Sequence, residues 1–328
     1  MARLGVLDGW RGISIVLVLS GHLLPIGPKQ WELNAAVAST GMAIFFQLSG
    51  FLITSVLLRN DNVGEFLIHR VMRIVPLAWL ATLVTLVALQ SNWSVIVAHL
   101  LFYANKAPMV LTPATAHFWS LCVEVQFYAF VAALVLVGGR RALLCLPVCA
   151  LCITALRIYC DKPMAINTEF RVDEILAGCT LALAFHHRPG WFDLKWIKWV
   201  TLVAAPLLVV SASPNAGAIA YARPYLATLL IGSTLATVCA KRLQQVLGSA
   251  ALRYLALISY ALYIIHGCLM GSWLNEGDTR TKYLKRPLLF ALTFGLAHLS
   301  TRYYESAFIG LGRRWVEARR AKKLLSAT

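Results

Sequence analysis

Long apolar stretches separated by short polar connections dominate this chain from end to end. A helix needs about 20 mostly apolar residues to cross the hydrocarbon core of a bilayer. Runs near that length lie at 12–27, 41–58, 74–90, 118–137, 142–160, 172–187, 196–212, 219–240, 250–271 and 287–309. The pattern therefore predicts an all-α polytopic membrane protein with about ten transmembrane helices.

One further apolar stretch, 93–104, is too short to cross a bilayer, and we expect a re-entrant or interfacial segment there. The first apolar run follows charged residues and lacks a small-residue cleavage site, so we expect it to be retained rather than removed as a signal peptide. No long linker, low-complexity tract or internal repeat marks a second domain. These patterns predict a membrane domain over 1–312 and a basic cytoplasmic tail over 313–328 that lies against anionic lipid.

Composition and charge also favour a lipid environment. The chain is 59% hydrophobic and 13% charged, whereas soluble domains average about 25% charged residues. Its formal net charge of +16 would also suit nucleic-acid binding, but the basic residues stand in short clusters between apolar runs, so we expect no nucleic-acid partner.

The basic clusters also predict an orientation. With the N-terminus in the cytoplasm, the inside loops hold Arg59, Arg70, Arg73, Arg140, Arg141, Arg188, Lys195, Lys198, Lys241 and Arg242. The positive-inside rule therefore places both termini in the cytoplasm, with the loop 272–286 as an exception.

The first apolar run opens with LDGWRG, residues 7–12, and continues to His22. Eleven helical steps of about 1.5 Å put His22 roughly 16 Å from Arg11 along the axis and, at about three turns, on the same face. Arg11 is then expected near the cytoplasmic surface and His22 well inside the membrane. An intramembrane histidine is a functional-site hypothesis by default, and a histidine hydrogen-bonded to a neighbouring helix is the alternative.

A pair of arginines precedes the third run. FLIHRVMRIVP, residues 66–76, places Arg70 and Arg73 on one helical face ahead of Pro76, which we expect to perturb the helix. Paired arginines at a membrane border often only determine topology. They also form a fork that suits a phosphate-bearing ligand, and the residues alone leave both interpretations open.

The fourth run begins with a mixture of aromatic and polar residues, HFWSLCVEVQFY, residues 117–128. Glu124 lies about 10 Å from the outer end of this helix, where a carboxylate needs a partner, a proton or water. His117 shares the helical face of Glu124, and Trp119 shares that of Gln126. A ligand cavity explains this mixture better than contact with lipid.

Two further motifs lie at the ends of predicted spans. RVDEILAG, residues 171–178, places Asp173 at an outer mouth, where solvation explains the acids and snorkelling explains Arg171. SYALYIIHG, residues 259–267, places His266 near an outer end, where an interfacial aromatic belt and a site are both open interpretations.

Two other groups of polar side chains have simple explanations. Arg302 and Glu305 are spaced to neutralise each other on one helical face. Cys145, Cys149 and Cys152 share a face without histidine or acidic company, so we expect helix packing there and no metal site.

The predicted orientation sorts the ionisable residues by side. The outer half holds His22, His117, Glu124, Asp173 and His266, and the inner face holds Arg11, Arg70 and Arg73. This arrangement suits a group-transfer enzyme that works across a membrane, with a polyanion docked at the arginines and a second substrate entering from outside.

The chain resembles the acyltransferase 3 family of integral-membrane O-acyltransferases. The resemblance rests on six motifs in the family's order, which are LDGWRG with Arg11 and His22, FFQLSGFLIT, HRVMRIVP with Arg70 and Arg73, FWSLCVEVQFY with Glu124, RVDEILAG, and SYALYIIHG with His266. Together they cover essentially the whole chain.

The resemblance implies roles for these residues. Arg11, Arg70 and Arg73 would bind the donor substrate, acetyl-CoA or another acyl-CoA, and no cofactor would be permanently bound. His22 would act as general base, and Glu124 would orient the imidazole or the acceptor. The acceptor-side residues would be His117, Trp119, Asp173 and His266. A covalent acyl-His or acyl-Ser intermediate is a variant of this mechanism.

The resemblance also implies substrates and a location. The acceptor would be a hydroxyl of a cell-surface or lipid-linked glycan, such as an O-antigen or exopolysaccharide, at the bacterial cytoplasmic (inner) membrane. A small secondary metabolite such as a macrolide is the alternative. Some members add a secreted SGNH-type esterase domain. Because this chain ends soon after its last apolar run, we expect it to transfer directly or to hand the acyl group to a separate protein.

A proton-coupled transporter is the main alternative from another class. Intramembrane His and Glu residues can relay protons, but transporters often show internal repeats or paired broken helices, and neither is evident in this sequence. A purely structural subunit would give no reason for placing His22 and Glu124 in apolar runs.

Overall fold

A computed structural model describes residues 5–60, 62–193, 197–236 and 241–325, and within these ranges every regular element is helical, which confirms the all-α prediction. The α-helices are α1 (Gly5–Leu23), α2 (Leu33–Arg59), α3 (Val63–Ala88), α4 (Trp93–Leu100), α5 (Phe118–Gly138), α6 (Leu146–Tyr159), α7 (Thr168–Arg171), α8 (Asp173–His187), α9 (Ile197–Ser211), α10 (Arg223–Leu235), α11 (Lys241–Leu247), α12 (Ala250–Met270), α13 (Thr279–Leu299) and α14 (Ser306–Leu325). A π-helical turn, Ser300–Glu305, joins α13 to α14.

Six helical stretches in the described ranges are long and apolar enough to cross a membrane. They are Gly5–Leu23, Leu33–Arg59, Val63–Ala88, Phe118–Gly138, Arg140–Tyr159 and Ala250–Met270. Two other predicted runs coincide with α8 and α10, which have only 15 and 13 residues and fall below the usual length of a span. Six helical stretches that could cross a membrane are therefore present in the described ranges, whereas the total of about ten spans and the cytoplasmic position of both termini stay predictions.

The helices extend beyond the apolar runs, because backbone hydrogen bonding does not stop where side chains become charged. α3 begins at Val63 rather than near 74, and the Asn62 side chain caps it by accepting a hydrogen bond from the Glu65 N–H. α14 includes most of the predicted tail, so the boundary expected at 312/313 falls inside a helix. Lys195 and residues 326–328 lie outside the described residues, as do the side chains of Lys198, Lys241, Arg242 and Lys323.

The exceptional loop 272–286 uses two of its basic side chains for internal contacts. Lys285 Nζ donates hydrogen bonds to the main-chain oxygens of Trp273, at 2.8 Å, and Glu276, at 3.2 Å. Arg286 donates to the Asn275 side-chain oxygen at 3.0 Å. These contacts fix the loop against the start of α13, which gives its charges a structural role whichever side of a membrane they occupy.

The chain divides into two compact units. Unit 1 consists of Met1–Arg59 and Gly138–Ser259, and unit 2 of Asn60–Val137 and Tyr260–Thr328. Unit 1 therefore contains α1, α2, α6 to α11 and the first half of α12. Unit 2 contains α3, α4, α5, the second half of α12, α13 and α14.

Unit 1 is organised around α2, which packs against α1 and α8. A Cβ on Gly50 of α2 would stand 1.9 Å from the Ile175 main-chain oxygen, and a Cβ on Gly178 of α8 would stand 2.2 Å from that of Gln47. Gly50 of the FFQLSG motif and Gly178 therefore allow α2 and α8 to approach closely. Gly12 of the LDGWRG motif plays the same part against α12, since its Cβ would lie 2.5 Å from the Leu252 oxygen.

In unit 2, α14 packs alongside the start of α3. Arg320 of α14 binds the Glu65 carboxylate with two hydrogen bonds, one of them from Nε to Oε1 at 2.6 Å. A Cβ on Gly312 would stand 3.0 Å from the Met72 side chain, so the two helices also approach closely there. Segment 93–104 forms the eight-residue helix α4, which is too short to cross a bilayer, and its position relative to the membrane stays a prediction.

Candidate functional site

Arg70 and Arg73 lie one turn apart on α3, and both side chains are partly exposed. The guanidinium carbon of Arg70 lies 5.7 Å from the centroid of the Phe66 ring and 5.4 Å from that of Tyr128. Within the described part of the chain, neither guanidinium has a hydrogen-bond partner. The aromatic rings attract the Arg70 cation, and the N–H donors of both arginines stay available to a bound anion.

Tyr128 links Arg70 to Glu124, which lies one turn earlier than the tyrosine on α5. The Tyr128 hydroxyl donates a hydrogen bond to Glu124 Oε1 at 2.5 Å, and both side chains are buried. The Phe66 ring meets the Tyr128 ring edge to face, with centroids 6.0 Å apart. The face of the Tyr128 ring therefore meets the Arg70 cation of α3, and the Tyr128 hydroxyl binds the buried Glu124 carboxylate of α5.

A second buried carboxylate, Glu305, belongs to the same charged region. It accepts hydrogen bonds from the side chains of Thr301, at 3.0 Å, and Ser300, at 3.3 Å. Arg73 lies within electrostatic range of Glu305 and of Glu124. The neutralising pair expected between Arg302 and Glu305 does not form, because the π-helical turn leaves Arg302 exposed while Glu305 is buried.

His117, immediately before α5, packs against α12 beside Tyr263 and His266. The His117 ring centroid lies 5.5 Å from each of these two rings. His117 Nε2 donates to the Ile264 main-chain oxygen at 3.1 Å, and His266 Nδ1 donates to the Leu262 oxygen at 3.0 Å. The structure thus brings together two of the predicted acceptor-side residues and fixes the orientation of both imidazoles.

Gly267 allows His117 to lie against α12, and alanine at this position should destabilise the protein. A Cβ there would stand 2.0 Å from His117 Nδ1. Overpacking of this kind costs about 1–3 kcal/mol, so we expect Gly267→Ala to lower the midpoint of thermal unfolding of the purified protein.

The matched control is Gly295→Ala on α13, where no described atom lies within 4 Å of the added carbon. Alanine should hold or raise the unfolding midpoint at that position, because it favours a helix over glycine. The double variant His117→Ala/Gly267→Ala should recover stability relative to Gly267→Ala, since the clashing ring is gone. Equal midpoints for the two glycine variants would contradict the close contact.

In unit 1, Arg11 and His22 lie on the uninterrupted helix α1. The Arg11 side chain is partly buried, whereas that of His22 is exposed. His22 lies in the last turn of α1, because the helix ends at Leu23, just before Pro25. An exposed imidazole at a helix end is accessible to a substrate, which is a requirement for a proton acceptor.

Asp173, at the start of α8, lies in a buried ion-pair network of unit 1. Arg157 Nη1 contacts its carboxylate at 2.5 Å, and both side chains are 0% exposed. The neighbouring Glu174 pairs with Arg223 at 2.6 Å and with Arg171 at 3.4 Å. The solvated acids and snorkelling Arg171 expected from the sequence are therefore wrong, because α6, α8 and α10 enclose these groups.

The same network holds the connection between α6 and α7. Arg157 and Arg223 both donate hydrogen bonds to the Pro163 main-chain oxygen, at 2.7 Å and 3.3 Å. Arg223 also contacts the Met164 sulfur at 3.1 Å. Asp173 therefore belongs to a structural ion-pair network. Within the described residues of unit 1, its carboxylate contacts neither Arg11 nor His22.

Trp119 and Gln126 differ in their surroundings although they share a face of α5. Trp119 is partly exposed. The Gln126 amide donates to the Phe102 main-chain oxygen at 2.7 Å and to the Asn105 side-chain oxygen at 3.1 Å. Gln126 therefore ties the segment after α4 to α5, which explains its polarity without a ligand.

Sequence reasoning missed three residues that organise these clusters. Tyr128 follows Glu124 by four residues, a spacing that already signals contact on a helix. Arg157 and Arg223 are arginines within or beside apolar runs, and the cost of such a charge signals a buried partner.

Comparison with known proteins identifies relatives over most of the chain. A family profile described as an acyltransferase domain matches residues 4–301. The peptidoglycan O-acetyltransferase OatA of Listeria monocytogenes is 23% identical over 350 aligned residues, which cover 92% of this chain and 55% of OatA. YrhL of Bacillus subtilis, provisionally named a peptidoglycan O-acetyltransferase, is 27% identical over 219 residues, or 55% of this chain and 33% of YrhL.

The chain thus spans about half or less of the length of these two relatives. A provisionally named O-acetyltransferase of Staphylococcus aureus is 30% identical over 151 residues, which are 38% of this chain and 23% of that protein. No solved structure matches the chain.

Proposed function

The chain belongs to the acyltransferase 3 family, and we propose that it transfers an acetyl group from acetyl-CoA to a hydroxyl of a cell-surface or lipid-linked glycan. The family match covers nearly the whole chain. Two relatives carry the names of peptidoglycan O-acetyltransferases, which supports acetyl as the transferred group and a glycan as the acceptor.

The observation that carries the proposal is the pair of half-buried arginines on α3. Arg70 and Arg73 have no hydrogen-bond partner among the described residues, although each guanidinium carries five N–H donors. Guanidinium groups bind phosphate through paired, charge-assisted hydrogen bonds. Coenzyme A carries several phosphates, so we assign the donor's phosphate groups to these two arginines, with Arg11 as a further donor-side residue.

The proposed chemistry is attack of the acceptor hydroxyl on the thioester carbonyl. The new C–O bond forms as the C–S bond breaks. His22 takes the proton from the hydroxyl and returns it to the departing sulfur, so that coenzyme A leaves as a thiol. Glu124 orients the imidazole or the acceptor, and His117, Trp119, Asp173 and His266 are assigned to the acceptor side.

The predicted orientation also supports a location for the protein. It puts Arg70 and Arg73 at the cytoplasmic face, where acyl-CoA is available. We therefore place the protein in the bacterial cytoplasmic membrane, with the acceptor approaching from the outer side. The peptidoglycan acetylated by OatA, as its name states, is an acceptor of the same chemical class as an O-antigen or exopolysaccharide.

Incubation of membranes containing the protein with radiolabelled acetyl-CoA tests the proposal. Label should appear in an isolated glycan fraction, with peptidoglycan and extracellular polysaccharide analysed separately by mass spectrometry. Label found only in a small-metabolite fraction would favour the macrolide-like alternative. Absence of labelled product together with a pH-dependent flux across vesicles would overturn the proposal in favour of a transporter.

Substitution of the arginines should weaken donor binding. We expect Arg73→Ala to raise the KM for acetyl-CoA by about 10–100-fold, the loss typical of a hydrogen bond to a charged group. Arg70→Lys should also raise KM, because lysine keeps the charge but loses the planar fork. Initial rates at varied acetyl-CoA concentration provide the measurement. Arg59→Ala, an exposed cation at the end of α2, is the control, and an unchanged KM in Arg73→Ala would contradict the assignment.

A further inference from the structure

Tyr128 is a side chain of unit 2 that contacts both a donor-side arginine and Glu124. Its ring centroid lies 5.4 Å from the Arg70 guanidinium carbon, and its hydroxyl lies 2.5 Å from Glu124 Oε1. The first contact uses the face of the ring and the second uses the oxygen at its tip. The two contacts are therefore chemically separable by substitution.

The Tyr128 side chain is also rigidly held. It is 4% exposed, and the Phe66 ring packs against it with an interplanar angle of 82°. A tyrosine has only two side-chain torsions, so the position of the ring fixes the position of the hydroxyl. Arg70 lies over the Phe66 ring as well, at 5.7 Å, so two aromatic groups locate its guanidinium.

We propose that Tyr128 is a positioning residue for both halves of the reaction, with its ring locating Arg70 for the donor's phosphates and its hydroxyl orienting the Glu124 carboxylate for the transfer step. The inference rests on the proposed function, because Arg70 and Glu124 take their roles from it. Tyr128 itself exchanges no atom with either substrate. Its contribution is to hold a cation on α3 and a carboxylate on α5 in fixed positions within unit 2.

Two substitutions separate the ring from the hydroxyl. Tyr128→Phe keeps the ring and removes the hydroxyl that donates to Glu124, so kcat should fall by about 10–100-fold, while the KM for acetyl-CoA stays within about twofold. Tyr128→Leu removes the ring as well. Loss of the cation–ring attraction should then raise the KM, and the Kd for coenzyme A, by about 3–30-fold in addition to the loss of kcat.

The experiment measures kcat and the KM for acetyl-CoA of each variant with radiolabelled acetyl-CoA. The acceptor used is the glycan that the unaltered protein is found to acetylate. Isothermal titration of the purified protein with coenzyme A gives the Kd without requiring transfer. Tyr304→Phe is the matched control, since it removes another tyrosine hydroxyl of unit 2, one that donates to the Pro76 main-chain oxygen at 3.3 Å. That variant should keep both kinetic constants.

The outcomes distinguish this inference from the proposed function. If the unaltered protein transfers no acetyl group, the proposed function fails, whatever the variants do. If the unaltered protein transfers acetyl but Tyr128→Phe keeps a normal kcat, the hydroxyl has no positioning role. The inference is then overturned, whereas the proposed function stands. If Tyr128→Phe raises the Kd for coenzyme A as much as Tyr128→Leu does, the tyrosine is a packing residue without separable roles, which also overturns the inference.

Discussion

Replacing His22 with alanine should lower the rate of acetyl transfer by about 10²–10⁴-fold, the usual contribution of a general base. The protein should still fold, because His22 is exposed in the last turn of α1 and substitutions at exposed positions usually change stability by less than about 0.5 kcal/mol. Binding of coenzyme A should be unaffected, since the donor's phosphates are assigned to α3. Initial rates, the thermal unfolding midpoint and the Kd for coenzyme A measure the three properties separately.

His187→Ala provides a matched control for this experiment. His187 is also an exposed histidine in the last turn of a helix, α8, and we assign it no part in the reaction. The His187→Ala variant should transfer acetyl at the unaltered rate. A loss of rate in His22→Ala then reflects the position of His22 in the site and not the mere removal of an exposed imidazole. Near-normal turnover in His22→Ala would show that another group accepts the proton.

A covalent mechanism predicts a different signature at the same residue. If the acyl group passes through His22, radiolabel should remain on the denatured wild-type protein after brief exposure to acetyl-CoA and be absent from His22→Ala. Direct transfer leaves both proteins unlabelled.

The apolar runs predicted the helices well, but they did not predict where the helices end. Hydrophobicity reports the part of a helix that contacts lipid or protein, whereas the ends depend on caps and breakers. Asn62 starts α3 well before its apolar run, and α1 ends at Leu23, directly after His22. For this reason His22 lies in the last turn of α1, although the apolar run continues to residue 27. α10 covers only part of its run 219–240, and α8 has only 15 residues, so the total number of spans stays a prediction.

Local spacing carries a signal for some contacts of the candidate site, including the Glu124–Tyr128 contact that was missed, and carries none for others. The i, i+4 spacing of Glu124 and Tyr128 on α5 is visible in the sequence. The partner of Asp173 is not, because Arg157 lies on another helix and only tertiary packing brings the two together. An acidic residue at the end of an apolar run has the same sequence pattern whether its carboxylate faces water or a buried arginine. Only the burial seen in the structure distinguishes the two cases.

Removal of the Asp173 carboxylate should strongly destabilise unit 1. Asp173→Ala leaves the Arg157 guanidinium, which is 0% exposed, without its carboxylate, and breaking a buried ion pair typically costs about 3–5 kcal/mol. The hydrogen bond from Thr154 to the same carboxylate, at 3.1 Å, is lost as well. Thermal unfolding midpoint and the yield of monodisperse protein should both fall, whereas Glu276→Ala, at an exposed acid, should change neither.

The double variant Arg157→Met/Asp173→Leu then separates a structural role of Asp173 from a role in acceptor binding. Replacing both partners of a buried pair with apolar side chains of similar size is often neutral or stabilising, so this protein should fold better than Asp173→Ala. If Asp173 serves only the ion-pair network, recovery of the fold should restore acetyl transfer at the wild-type KM for the acceptor. If Asp173 binds the acceptor, the folded double variant should keep its affinity for coenzyme A but show a raised KM for the glycan. An unfolding midpoint for Asp173→Ala equal to that of the unaltered protein would contradict the buried pair itself.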